Sequence, residues 1–333
     1  MAQIQQKLAV VILNWNGRNW LEKFLPGVVR YTQDADIYVI DNLSTDDSIA
    51  YLEANFPSVK VIRNLKNYGF AGGYNEGLKS IEAEYYCLLN SDVEVTENWT
   101  EPILRLLDTM PEVSAVQPKI LSYERPEYFE FAGAAGGLID NLGYPYCRGR
   151  VFDDLEQDYG QYNDETEIFW ASGCCFFIRV KDFREQQGFD ERFFAHQEEI
   201  DLCWRLINLG KKIYYTGKSR VYHVGGGTLN KQSPAKTYLN IRNNLSMLLK
   251  NMPFPKLILT LFLRMCLDAF AALYFGFKYG FPHFWAVVRA HFAFYGQIPG
   301  TWKRRQNHQE KKFYQSRWLI FKHFSGRKIT HNP

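Results

Sequence analysis

A chain of 333 residues is long enough for one large domain or two smaller ones with a substantial core. Its composition, 46% hydrophobic and 23% charged, is that of a folded chain and excludes a disordered one. The net charge of +3 hides a split: from Lys250 onward 14 Lys and Arg stand against 2 Asp and Glu, whereas the preceding residues carry 25 against 34. Such a division indicates modules with different partners, expected here as residues 1–248 and 249–333. The six cysteines lack metal-ligand spacing and read as reduced cytosolic thiols. The N-terminus lacks a basic stretch followed by a long apolar run, so no signal peptide is expected.

The first 120 residues alternate strand and helix signals. Residues 8–13 form an apolar run, and 18–29 have helical spacing. Strands are expected at 37–40, 59–62, 85–89 and 113–117, with helices at 72–80 and 97–110. Thr45 is a candidate N-cap, with Asp46 and Asp47 in the first helical turn. This β-α-β-α order implies an α/β fold with a parallel sheet covered on both faces. Residues 120–165 are rich in Gly, Tyr and Asp and read as a long insertion or acceptor-side loop. A β segment over 167–180, a helix over 197–209 closed by Gly210, and strands at 212–215 and 219–224 complete the domain.

Open α/β sheets bind ligands beyond the carboxyl ends of their strands, and three such ends here are polar. Asn14-Trp15-Asn16-Gly17 follows the first strand. Asp41 and Asn42 end the second, where turn chemistry and recognition of a uracil or thymine base are both consistent with the residues. Asn90-Ser91-Asp92 follows the fourth. Asp92 is either an N-cap or an oxygen ligand for Mg²⁺ or Mn²⁺ beside a diphosphate. Glu94 shares its face in extended chain but reads as solvated. Residues 67–77, which include Gly72 and Asn75, form a Gly-rich loop entering a helix, where small residues and free N–H groups suit a diphosphate.

Between Gly188 and Arg205, carboxylates cluster at a helix start beside Phe193 and Phe194. Asp201 and Arg205 are spaced to pair, leaving Glu198 and Glu199 to face a cleft. Either becomes a general base if apolar surroundings raise its pKa; ordinary N-terminal helix acidity is the plainer explanation. His223 ends a strand and precedes three glycines, and a neutral imidazole there would complement Asp92 at a metal.

Taken in order from Val10 to about Asn244, these segments resemble the family 2 inverting glycosyltransferases of GT-A fold, nearest their rhamnosyltransferase-like branch. The resemblance implies a GT-A (Rossmann-like), mostly parallel sheet with helices on both faces, followed by a C-terminal helical extension. It implies nucleotide binding at Asp41-Asn42, a divalent-cation motif at Asn90-Ser91-Asp92, the catalytic base at Glu198-Glu199, and a histidine, His223, near metal and diphosphate. Two departures matter. Asn90 stands where the wider class has a first carboxylate, so a metal rests on Asp92. Glu198-Glu199 replaces a Glu-Asp pair, making Glu199 the expected base and Glu198 its alternative. Donor contacts are expected from Asn14, Asn16, Asp41, Asn42, Gly72, Asn75, Asn90 and Ser91.

In the extension, residues 256–278 are apolar and aromatic. At about 100° per residue, Lys256, Thr260, Arg264, Asp268 and Lys278 fall within one third of the helix circumference. Residues 284–294 repeat the character, and a basic tail over 303–328 follows. This suits helices lying in a membrane interface; equally, the apolar faces could pack on the catalytic domain or a second subunit. Nucleic acid is not expected, because no recognition fold accompanies the charge. The expected protein is thus a cytoplasmic enzyme on the inner face of the cell membrane. It would use a nucleotide-sugar donor, a glycan or lipid-linked acceptor and Mg²⁺ or Mn²⁺. A sugar-nucleotide pyrophosphorylase and a catalytically silent carbohydrate- or nucleotide-binding scaffold are the alternatives.

Overall fold

The computed structural model describes residues 6–225 and 233–325. Strand β1 (Leu8–Asn14) sends Leu8, Val10 and Ile12 into one apolar cluster and Ala9 and Val11 into another. It is buried on both faces, hence its continuous apolar run. Helices α1 (Arg18–Tyr31), α2 (Ser48–Asn55) and α4 (Glu101–Thr109) cover the first face. The second is covered by α3 (Gly69–Gly77), α5 (Val180–Glu185), α6 (Glu198–Asn208) and α7 (Pro234–Asn251).

Strands β2 (Asp36–Asp41), β3 (Lys60–Arg63) and β4 (Tyr85–Leu89) run parallel with β1. Beyond β4 the sheet becomes mixed. β12 (Cys175–Arg179) inserts antiparallel between β4 and β6 (Val113–Ser122). β13 (Lys212–His223) then runs parallel to β6, flanked by antiparallel β11 (Glu165–Ile168) and β5 (Val93–Val95). The two strands expected at 212–224 are therefore one strand, with a register shift between Thr216 and Arg220.

The expected loop over 120–165 contains a second, antiparallel sheet of short strands: β7 (Gly137–Ile139), β8 (Pro145–Cys147), β9 (Arg150–Val151) and β10 (Asp154–Leu155). These strands have two or three residues each, too few to display a period of two. All six cysteines are free, and all but Cys266 are buried.

Helices α8 (Phe254–Tyr279) and α9 (Phe281–Trp302) pack as a hairpin beside α7, and α10 (Leu319–Phe324) follows. Both helices of the hairpin bury some apolar side chains, Leu257 and Leu261 on α8 and Val287 and Phe294 on α9, but α8 also turns polar residues inward. Thr260, Arg264 and Asp268, the polar stripe of α8, are buried, whereas Ile258, Phe262, Phe270 and Phe277 are exposed. The guanidinium of Arg264 lies 3.7 Å from the centre of the Tyr144 ring and donates to the Leu142 carbonyl at 3.1 Å and to Asn244 Oδ1 at 2.5 Å. Asp268 lies 3.3 Å from His291 on α9. The hairpin therefore meets the sheet domain through both kinds of contact: Leu257, Leu261 and Phe294 join its apolar core, and the stripe adds polar ones.

Candidate active site

Parallel pairing sets Asn14 level with Asp41, and Ile12 level with Leu89. The three polar strand ends therefore open at one edge of the sheet. Asn14 is fully buried; its Nδ2 donates to Ser44 Oγ at 3.1 Å and, more weakly, to Asp41 Oδ1 at 3.4 Å. Its Oδ1 has no hydrogen-bond partner among the described residues. Asp41 accepts from the Ser44 amide at 3.1 Å. Asn16, at φ +53°, takes the Thr45 amide at 2.7 Å and so joins the first two strand ends. Asn90 donates its amide to the Cys174 carbonyl at 3.0 Å, and Ser91 is half-buried beside it.

Two residues expected at the donor, Asn42 and Asn75, already have hydrogen-bond partners within the fold. Asn42 donates to Asn67 Oδ1 and the Gly69 carbonyl, both at 3.0 Å, while its own Oδ1 accepts from Asn64 at 3.1 Å and the Tyr68 amide at 3.2 Å. Asn75 clasps Phe189 through both backbone groups at 2.9 Å. The Gly-rich helix start also differs from a phosphate cradle. The N–H groups of Phe70 and Ala71 are taken by the Phe194 carbonyl at 2.7 and 3.1 Å. Gly72 is buried in α3, where an added Cβ would come 3.0 Å from Tyr68 Cβ and its next neighbour is Glu191. Gly77 admits no Cβ because Ile40 lies 2.3 Å from its place.

Antiparallel pairing of β5 with β13 sets His223 opposite Val93 and so beside Asp92. His223 Nε2 lies 3.2 Å from Asp92 Oδ1, and Nδ1 lies 3.1 Å from Glu130 Oε2, off the line of a good hydrogen bond. All three side chains are buried. Burial opposes the imidazolium, yet the Cys174 thiol and the Asp92 and Glu130 carboxylates overcome it and hold the His223 pKa well above its ordinary value. Glu130 was not among the expected residues. It lies in the weakly periodic insertion, 93 positions before its partner, and no local pattern marks it.

A strained loop leads to the first turn of α6. Phe194, His196 and Gln197 have φ of +64°, +70° and +74°, each an unfavourable left-handed value for a residue with a Cβ. Asn243 on α7, fully buried, restrains this loop. Its Nδ2 faces three loop carbonyls, Phe193 at 3.0 Å, Ala195 at 2.9 Å and His196 at 2.7 Å. Arg242 fixes the amide by donating to its Oδ1 at 2.8 Å and also holds the Arg192 carbonyl at 2.9 Å.

The loop delivers Glu198 and Glu199 to the helix start. Glu198 is buried, and desolvation with the neighbouring Glu199 charge raises its pKa well above normal. Glu199 is half-buried; desolvation pushes its pKa up to about 7 against the opposing backbone hydrogen bonds. Its Oε2 has no hydrogen-bond partner among the described residues. Its Cγ lies 4.0 Å from where a Cβ of Gly173 would stand, beside Phe70 at 3.3 Å. Gly173 adjoins Cys174, which bonds Asn90 through its carbonyl and interacts with His223 through its thiol. The chain from Asn90 through Cys174 to Glu199 joins the acidic helix start to the Asp92–His223 pair.

Among the described residues, no group of three or more His, Cys, Asp and Glu side chains is poised around a metal position. Asp92 offers the oxygen ligand that Mg²⁺ or Mn²⁺ prefers, the remaining ligands commonly coming from phosphate and water. His223 stands beside it but faces two carboxylates that favour the imidazolium over the neutral ring expected from the sequence, so it could ligate only by giving up that proton.

Known proteins agree with this architecture. N-acetylglucosaminyl-diphospho-decaprenol L-rhamnosyltransferase of Mycobacterium tuberculosis is 23% identical over 232 residues, spanning 65% of this chain and 75% of that protein. A low-salt glycan biosynthesis hexosyltransferase of Haloferax volcanii is 23% identical over 212 residues, 61% of this chain and 64% of its own length. The crystal structure of GalNAc-T7 with UDP, GalNAc and Mn²⁺ superposes with a TM-score of 0.64 at 17% identity, covering 97% of this chain and 58% of that one. The mannosyltransferase PcManGT from Pyrobaculum calidifontis, in complex with GDP-Man and Mn²⁺, gives 0.52 at 12% identity over 87% of this chain and 76% of its own. At these identities the structures speak for a shared GT-A fold. Residues 9–186, more than half of the chain, match the family described as Glycosyl transferase family 2, and the chain is a member of that family of enzymes.

Proposed function

We propose that this glycosyltransferase moves a sugar, with inversion, from a nucleoside-diphosphate donor of the dTDP-rhamnose or UDP-hexose type to a hydroxyl on a glycan or lipid-linked acceptor. The reaction would serve cell-surface polysaccharide assembly, with peripheral contact at the inner face of the cell membrane. Asp41 and Ser91 face the donor end of the cleft, with Asn14 buried beneath them. Glu199 accepts the proton of the acceptor hydroxyl while that oxygen bonds to the anomeric carbon from the side opposite the diphosphate. The bond from the anomeric carbon to the diphosphate oxygen breaks, and the nucleoside diphosphate leaves with the bonding electron pair. A divalent cation, when bound, would neutralise charge on that leaving group, and Asp92 and His223 are the residues that would hold it.

The observation that carries this reading is Glu199: a half-buried carboxylate with one oxygen unpartnered among the described residues and a pKa raised to about 7. A base must be deprotonated to act and works best with a pKa near the working pH. The test is Glu199→Gln, assayed for transfer with a panel of UDP-, dTDP- and GDP-sugars and for donor binding by calorimetry. General-base help is worth roughly 10²–10⁴-fold, so kcat falls by that order with donor affinity unchanged. Full turnover in Glu199→Gln, with loss in Glu198→Gln instead, would move the base to Glu198.

A further inference from the structure

The hairpin of α8 and α9 presents an apolar surface that nothing among the described residues covers. On α8, Phe262, Phe270 and Phe277 are 59%, 70% and 91% exposed, and Ile258, Leu259 and Leu273 are each more than half exposed. On α9, Phe281, Trp285, Phe292 and Trp302 continue the surface. A contiguous apolar surface of this kind marks an interaction site.

Charge narrows the partner. Residues 254–302 contain one carboxylate, Asp268, and it is buried between Arg264 and His291. Lys256, Lys278 and Arg289 are exposed on the same two helices, and Lys303 follows. A second copy of the chain docked through this surface would bring cations against cations, with no exposed carboxylate on either hairpin to answer them. An anionic lipid surface meets both features, since it takes apolar side chains between its headgroups and attracts Lys and Arg.

The orientation follows from the buried side. By length and composition α8 could cross a bilayer. Its stripe of Thr260, Arg264 and Asp268, however, is buried against protein on successive turns, Arg264 against Leu142, Asn244 and Tyr144 and Asp268 against His291. A spanning helix would have to strip that stripe from its partners. Exposed Trp285, Trp302, Tyr274 and Tyr295 are the amphipathic rings that favour the headgroup level.

We propose that the outward face of α8 and α9 is an in-plane anchor on an anionic lipid bilayer, the globular domain being held through the inward polar stripe. This deepens the membrane contact offered above and stands apart from the assignment of Glu199. Flotation of the full chain with vesicles of phosphatidylcholine, alone or mixed with phosphatidylglycerol, tests it. The chain should float with the mixed vesicles and far less with phosphatidylcholine alone. The triple change Phe262→Ser, Phe270→Ser and Phe277→Ser should lower the bound fraction by about tenfold or more, with circular dichroism and nucleotide binding retained. Folded chain that stays with neither vesicle would overturn the proposal, as would a triple variant that floats like the parent. So would a parent that sediments as a dimer, a variant that sediments as a monomer, and equal flotation of the two, because the surface would then join copies of the chain. Loss of transfer activity in Glu199→Gln would leave all of these readings unchanged.

Discussion

The sheet domain and the C-terminal hairpin use one amphipathic code in opposite senses. In β1 every second side chain enters one apolar cluster and the intervening ones enter another, and polarity collects at the strand ends. In α8 Thr260, Arg264 and Asp268 turn inward while Phe262, Phe270 and Phe277 turn outward. Burial of Arg264 and Asp268 is stabilising only because each has partners: Tyr144, Leu142 and Asn244 for one, His291 for the other. A pattern of apolar and polar residues identifies two sides of a helix; which side meets protein depends on what else the protein holds.

Breaking the inward side should have a large effect on stability. Arg264→Ala leaves Asp268 without its guanidinium neighbour and empties the space over Tyr144. Removal of one partner of a buried pair costs roughly 3–5 kcal/mol, read as a shift in the urea midpoint. The exposed phenylalanines, changed to Ser, should move the same midpoint by about 0.5 kcal/mol or less. Equal costs at the two sides would erase the contrast drawn here.

A smaller effect on stability, with a distinct kinetic signature, is expected at Asn243. Asn243→Ala frees the three carbonyls of the loop before α6 at a cost of about 1–3 kcal/mol. The loop then relaxes from its left-handed values, and water reaches Glu199. The parent enzyme should lose activity below about pH 7, because protonated Glu199 cannot act as base. In the variant the pKa drops toward its ordinary range, so kcat is lower overall but holds to lower pH. A purely structural role would lower the melting temperature and leave the position of the acid limb unmoved.

The gathering of the polar strand ends at one sheet edge could be read from the sequence because its signals are local. Asn14, Asp41 and Asn90-Ser91-Asp92 each interrupt an apolar run of a few residues, and parallel pairing brings strand ends together. Other features depend on contacts across long separations. Glu130 meets His223, and Asn243 meets the 193–196 carbonyls, from segments with no periodicity that marks them. The contacts that Asn42 and Asn75 make within the fold were hidden for a similar reason, since their partners lie 25 and 114 positions away. Strand direction was equally hidden: β12 is an apolar run like β4, and nothing in its residues says that it lies antiparallel beside it.

The central claim is that Asp92, His223 and Glu199 serve one cleft. Crystals soaked with Mn²⁺ and a nucleoside diphosphate test it most directly through the anomalous signal of manganese. The manganese peak should be bonded to Asp92 and His223, bridged to the diphosphate, with the Glu199 carboxylate facing the space next to the outer phosphate. A manganese peak on other residues, or a diphosphate bound with Glu199 on the far side of the sheet from it, would contradict the account.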